Sequence, residues 1–385
     1  MRLLPHAGPE LHGRRCPPRP QLQQATARPL RQPRHAERPR RVPPGQVSGL
    51  GGSAARRLVR SARQPAVALR SRHPGRTGWR AGSRRPPDVH AQDTASTAIR
   101  RATAVSLMPA NSGARTLSAL QTALGDTSQF VRRAAVEAIE GVSPDMRLRM
   151  GVPMLSDPSR AVRLAAVSAL ASVPGAQWTP EDRQTFETAA AEYSQSQMVN
   201  ADRAEARTNL GNLARDLGQL DAAETEFRTA IRLWPEFTSA WIQLAELARA
   251  RGGERVTDSI LRTGLVPNPE SADLHHALGL SLVRQRRTVE AVAELGTAAR
   301  LSPEFARYAF VYGVAVHDTG DPARGLAILE AALRQHPWDR DLLQGVMSFA
   351  AEAGDRASAV EAARRLVDLA PDDPNLRQQL QALQR

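Results

Sequence analysis

Few residues in this chain have the types and spacing that chemistry requires. His275-His276 is the one place where two histidines adjoin. Neighbouring helical residues point about 100° apart and neither histidine has an acid four residues on, so the pair reads as solvated histidines rather than a metal site. Cys16 is the single cysteine, which excludes a disulfide framework, a Cys-based zinc site and a C-x-x-C-H haem attachment in the chain as written. Gly49, Gly51 and Gly52 form a glycine-rich stretch with no strand before it, a poor phosphate loop. No Ser/His/Asp arrangement, carboxylate dyad or H-E-x-x-H string stands out. The expectation is a protein that is not an enzyme, holds no metal and needs no cofactor in the chain as given.

Charge is the next possible source of function. The 385 residues carry 52 basic and 39 acidic side chains, net +13, and every basic residue is an arginine. Residues 1–90 hold 20 Arg against Glu10, Glu37 and Asp88, or +17, while residues 91–385 hold 32 Arg against 36 acids, or −4. The basic total therefore says nothing of the part that folds. Residues 1–90 also hold 14 Pro and no sustained hydrophobic period, so the expectation there is a disordered tail. Such an arm would touch nucleic acid only non-specifically, since Trp79 is its one aromatic platform. Its composition equally fits out-of-frame translation of GC-rich DNA.

The elements that must position any site begin near Asp93. Three strings align there at nearly equal offsets: Ile99-Arg100-Arg101-Ala102, Val131-Arg132-Arg133-Ala134 and Val162-Arg163-Leu164-Ala165. Val131, Ala134, Ala135, Ala138 and Ile139 follow i, i+3, i+4, i+7, i+8, and Val162, Ala165, Ala166, Ala169 and Leu170 repeat the pattern on a second helix. Residues 91–180 resemble HEAT-like helical-pair repeats, with the repeated arginines read as a solvated helix face. Residues 181–203 read as a connecting helix carrying Phe186, Ala190 and Tyr193.

The strongest pattern is a ruler of prolines, Pro235, Pro269, Pro303, Pro337 and Pro371, in which each stands at i+34 from the one before. With proline at position 32, five units fill residues 204–373. Position 8 is Gly211, Ala245, Gly279, Gly313 and then Met347. The inter-helix turn carries Gly218, Gly252, Gly320 and Gly354, with Arg286 as the exception. Position 20 is Ala223, Thr257, Ala291, Gly325 and Ala359. This resembles the tetratricopeptide repeat family, whose helical hairpins stack and bury one another's apolar faces. The fold class is then all-α, an α-solenoid. Residues 374–385, with Leu376, Leu380 and Leu383 at i, i+4, i+7, read as its capping helix.

The resemblance implies a peptide groove lined by positions 2, 5, 9 and 12 of each first helix. The candidates are Thr208, Asn212, Arg215, Ile242, Glu246, Arg249, His276, Leu280, Val283, Phe310, Val314 and His317. The first two units offer polar and cationic groups, and the third and fourth an apolar floor. That surface suits a protein or peptide with a hydrophobic anchor beside an acid for Arg215 or Arg249. Asn212 matches one asparagine of the family's carboxylate clamp, but no lysine exists to complete it.

Two functional readings follow. One is a non-enzymatic interaction scaffold. The other rests on the run Ala201-Asp202-Arg203-Ala204-Glu205-Ala206-Arg207, which with Asn209-Leu210-Gly211 resembles the C-terminal half of a bacterial family whose N-terminal half is a multihaem c-type cytochrome. Back-translating Met1 to Ala7 and reading one base later permits a haem-attachment string, so haem c enters only if the frame is shifted. With no membrane span and no signal peptide in the chain as given, location is cytoplasmic by default and periplasmic under the cytochrome resemblance.

Overall fold

The computed structural model describes Ala91 and residues 95–108, 113–371 and 373–385. The tail and the frame-shifted haem string, both in residues 1–90, lie outside the described residues. All regular structure among the described residues is helical, seventeen α-helices with three short 3₁₀ turns and no strand. They build an α-solenoid.

The helices start where side chains or prolines satisfy the first turn. Thr97, Ser128, Ser271, Asp321, Asp339, Asp355 and Asp373 accept a hydrogen bond from a backbone N–H two or three residues on. Pro180, Pro322 and Pro374 stand in the first turn, where a missing N–H costs nothing.

The first block comprises α1 (Ala98–Ser106), α2 (Ala114–Leu124), α3 (Gln129–Ala138), α4 (Pro144–Gly151) and α5 (Arg160–Leu170). Val105, Val136 and Val167, evenly spaced at i, i+31 and i+62, are fully buried on α1, α3 and α5. The same period relates Arg101, Arg132 and Arg163, so the first string falls one place out of register and Arg101, not Arg100, is the repeated group.

These arginines are not a solvated face. Arg101 grips Asp126 with two bonds of 2.9 Å, and Arg132 grips Asp157 at 2.7 and 2.9 Å. Arg163 grips Glu192 at 2.8 and 2.6 Å. Arg132 also donates to the Asp126 and Thr127 carbonyls, as Arg163 does to those of Asp157 and Pro158. Each guanidinium thus fastens its own helix start to the carboxylate of the next repeat. Asp126 and Asp157 complete the joint by accepting from the backbone N–H of Ser128 and Ser159. Their arginine partners hold both carboxyls below the usual aspartate value.

Helix α6 (Pro180–Met198) carries Glu192 and does more than connect. Its buried Ala189 and Tyr193 stand one hairpin period before Ala223 and Phe227, so it occupies the second-helix place of a unit preceding the first hairpin. The five hairpins follow: α7 (Ala204–Asp216) with α8 (Leu220–Leu233), α9 (Thr238–Ala250) with α10 (Glu254–Leu265), α11 (Ala272–Arg284) with α12 (Thr288–Leu301), α13 (Ala306–Asp318) with α14 (Pro322–Gln335), and α15 (Arg340–Glu352) with α16 (Arg356–Leu369). Helix α17 (Pro374–Gln384) closes the end, with Leu376 buried and Leu380 and Leu383 packed on the terminal core.

Close approach within a hairpin depends on position 8. A Cβ at Gly211 would lie 2.4 Å from the Phe227 ring, at Gly279 2.6 Å from Leu295 and at Gly313 2.5 Å from Leu329. The last unit reverses the sizes, with Met347 on the first helix and Ala363 on the second, both buried. The proline ruler marks carbonyls that the next helix satisfies: Trp241 donates to the Pro235 carbonyl at 2.8 Å, and Arg207 to that of Ala201 at 2.7 Å.

Each hairpin turn passes through the left-handed region, at Gly218, Gly252, Gly320 and Gly354 with φ of 75° to 100°, and at Arg286 with φ 61°. The Schellman bond forms even there, Arg287 N–H to the Leu282 carbonyl at 2.9 Å. Arg286 is exposed, so Arg286→Gly removes Cβ strain without losing packing and should stabilise the chain by about 1 kcal/mol, read as a higher urea midpoint at unchanged m-value.

Candidate peptide-binding face

Successive first helices α7, α9, α11, α13 and α15 lie side by side, and their outward positions make the candidate face. The structure places its residues at three depths. Thr208, Ile242, His276 and Val314 are buried, so they form a floor instead of an accessible lining. Leu280, Val283 and Phe310 are half-buried and pack against the core beneath α15. Asn212, Arg215, Glu246, Arg249 and His317 retain partial exposure.

The arginines already have partners. Arg215 bonds Asp216 at 2.8 Å and donates to the Gln243 amide oxygen. Arg249 pairs with Glu246 one turn earlier, at 2.6 Å. Burial pushes the Asp216 carboxyl above its usual value, with Arg215 opposing the shift. A ligand carboxylate would therefore compete with an internal acid for either guanidinium.

His317 lies flat on Phe349, ring centroids 3.8 Å apart, with Asp318 at 3.3 Å and Glu352 at 3.2 Å. The adjacent histidines are not solvated. His275 bonds Glu294 at 2.6 Å and the Pro269 carbonyl at 3.0 Å, whereas His276 is buried against Tyr308, centroids 4.7 Å apart. Their helix turns one into the inter-helix seam and the other into the floor. Burial lowers the His276 pKa to about 3, with Arg307 adding to the shift.

Three buried polar atoms on this face have no hydrogen-bond partner among the described residues: Thr208 Oγ1, Asn212 Oδ1 and His276 Nδ1. Thr208 and Asn212 are one turn apart on α7 and project together.

Sequence reasoning missed Gln243, buried and holding Arg215, and Tyr308, whose hydroxyl donates to Asp273 across units. The readable signal at Gln243 was a glutamine between Ile242 and Leu244 in an apolar run. Ser281 was a similar case; it is fully buried and donates to Glu254, which also binds Arg284 at 2.8 Å.

The tetratricopeptide repeat family matches residues 182–236, 208–254 and 276–339. The first match begins inside α6, in keeping with its place in the period. Among solved structures, YrrB, a TPR protein with an unusual peptide-binding site, is 21% identical, covers 50% of this chain and 97% of its own, and has a TM-score of 0.37. PilF of Pseudomonas aeruginosa is 18% identical over 47% of this chain and 88% of its own, TM-score 0.40. Yeast Tom70 is 14% identical over 75% of this chain and 64% of its own, TM-score 0.46. No curated protein matches the chain. The chain carries tetratricopeptide repeats, a module that generally serves as a protein-interaction scaffold. No helix among the described residues is long and apolar enough to cross a membrane.

Proposed function

We propose that this protein is a non-enzymatic scaffold whose tetratricopeptide face binds an extended peptide segment of a partner protein. The observation that carries this is Asn212 on α7, which is partly exposed on the face while its Oδ1 has no hydrogen-bond partner among the described residues. A buried acceptor left unmade costs about 1–3 kcal/mol. A peptide backbone N–H supplies the donor that this acceptor lacks. The Arg215 and Arg249 guanidiniums flank it, and Phe310 and Val283 provide a half-buried apolar surface further along. An acidic residue next to a hydrophobic anchor is the ligand chemistry this combination favours.

The test is a fluorescence-anisotropy titration of the full chain with peptides pairing an aspartate with a leucine or phenylalanine. Asn212→Ala should weaken binding by about tenfold, the equivalent of one hydrogen bond left unmade. Arg249→Glu should abolish the preference for aspartate. If both variants bind as the parent does while substitutions on the second helices weaken binding, the site is on the opposite surface.

A further inference from the structure

A separate cleft of about 680 Å³ opens where α6 meets the first hairpin, with Trp178, Phe186, Glu187, Ala190, Leu213 and Leu217 among its walls. Trp178 and Phe186 pack at 5.0 Å centroid separation on one side. Leu217, on the turn after α7, stays 41% exposed. The hairpin period shows what belongs in this gap. One unit along, the counterpart of Leu217 is Arg251, and the counterparts of Glu187 and Ala190 are Asp221 and Glu224. There the gap is bridged from within: Arg251 pairs with Asp221 and Glu224, both at 2.6 Å. At the next gap Arg287 reaches back to Asp258 at 3.3 Å. In the first gap the acid is kept and the arginine is not, and Glu187 has no ion-pair partner among the described residues. The other two carboxylates in the walls are already held, Asp216 by Arg215 and Glu226 by Arg207, while the wall's own Arg183 donates to the Gly175 carbonyl.

We infer that this cleft docks a partner peptide that supplies the missing arginine, its guanidinium on Glu187 and its flanking aliphatic side chains against Trp178, Phe186 and Leu217. The site is distinct from the α7/α9 face, and its occupant has the opposite charge. Arginine suits it because the forked guanidinium pairs with a carboxylate while its stem covers apolar surface.

The experiment uses the full chain and a short fluorescein-labelled peptide with one arginine between leucines, alongside the same peptide carrying citrulline, which keeps the shape and removes the charge. Citrulline should weaken binding by about tenfold, the loss of one charge-assisted pair. Leu217→Arg rebuilds the internal bridge seen one unit along and should abolish binding while the melting temperature holds or rises. Glu187→Gln, at an exposed position, should match the citrulline loss without unfolding the chain. Arg249→Glu should leave this peptide's affinity unchanged. Equal binding of arginine and citrulline peptides, unchanged binding by Leu217→Arg, or no binding by the parent chain would each overturn the assignment. So would parent self-association in sedimentation that Leu217→Arg abolishes, because the cleft would then hold a second copy.

Discussion

Arg132→Met should destabilise the chain by about 3 kcal/mol at neutral pH, measured by urea unfolding of the full chain. The methionine keeps the stem's volume and removes two bonds to Asp157 and two to the preceding loop. What remains is a carboxylate whose side chain is only 3% exposed. A buried charge stripped of its partner costs more than the intact pair ever contributed. The arginine lowers the Asp157 pKa, so the stability it confers is fully present above the unfolded aspartate value and fades as pH falls through the folded one. The deficit of the variant should therefore shrink towards pH 3, because protonation removes the charge that needs a partner. A deficit independent of pH would assign the loss to packing alone.

The second large effect is acid sensitivity from His276. Its pKa is about 3 in the folded chain against 6.5 for a free histidine. Below pH 6.5 the unfolded chain takes up a proton that the folded chain refuses. Stability should decline from there to about pH 3, by about 5 kcal/mol in all. Replacing the ring with an uncharged residue of similar size, His276→Gln, should flatten the urea midpoint across pH 4–6.5. The same slope in parent and variant would show that other groups drive the acid transition. Asp126 and Asp157 titrate below the ordinary aspartate value, and Asp216 and Asp339, raised by burial, make the folded chain more stable as pH falls, so a decline between pH 4.5 and 6 has the sign of the histidine and not of these carboxyls.

What could be read in advance was whatever recurs. Periodic glycines and prolines are legible because a fixed backbone need, a left-handed turn or a close helix approach, admits few residue types. The exception at Arg286 was visible as an exception, and the chain meets the turn's demand there regardless. The arginines of the first block were misjudged for the opposite reason. Whether an arginine is solvated or clamped depends on an acid about 25–29 residues away, and that distance carries no signal within a single helix. The depth of the candidate face was hidden likewise. Position 5 reads as a lining site from the period, yet Thr208, Ile242 and His276 are covered by neighbouring units. Phe310 shows the same limit, since its contact with α15 arises only when two hairpins stack.

The clamps of the first block differ in how much water reaches them. Side chains of the Arg101–Asp126 and Arg132–Asp157 pairs are 3–15% exposed, whereas those of Arg163 and Glu192 are 25–27% exposed. Mobile ions screen the last pair far more than the inner two, since the Debye length falls to about 3 Å at 1 M salt. Ionic strength therefore acts on this molecule as a local solvent. Within the first block it loosens the seam where the shorter repeat period gives way to the longer one and leaves the two inner clamps nearly untouched, so salt chooses where this block yields.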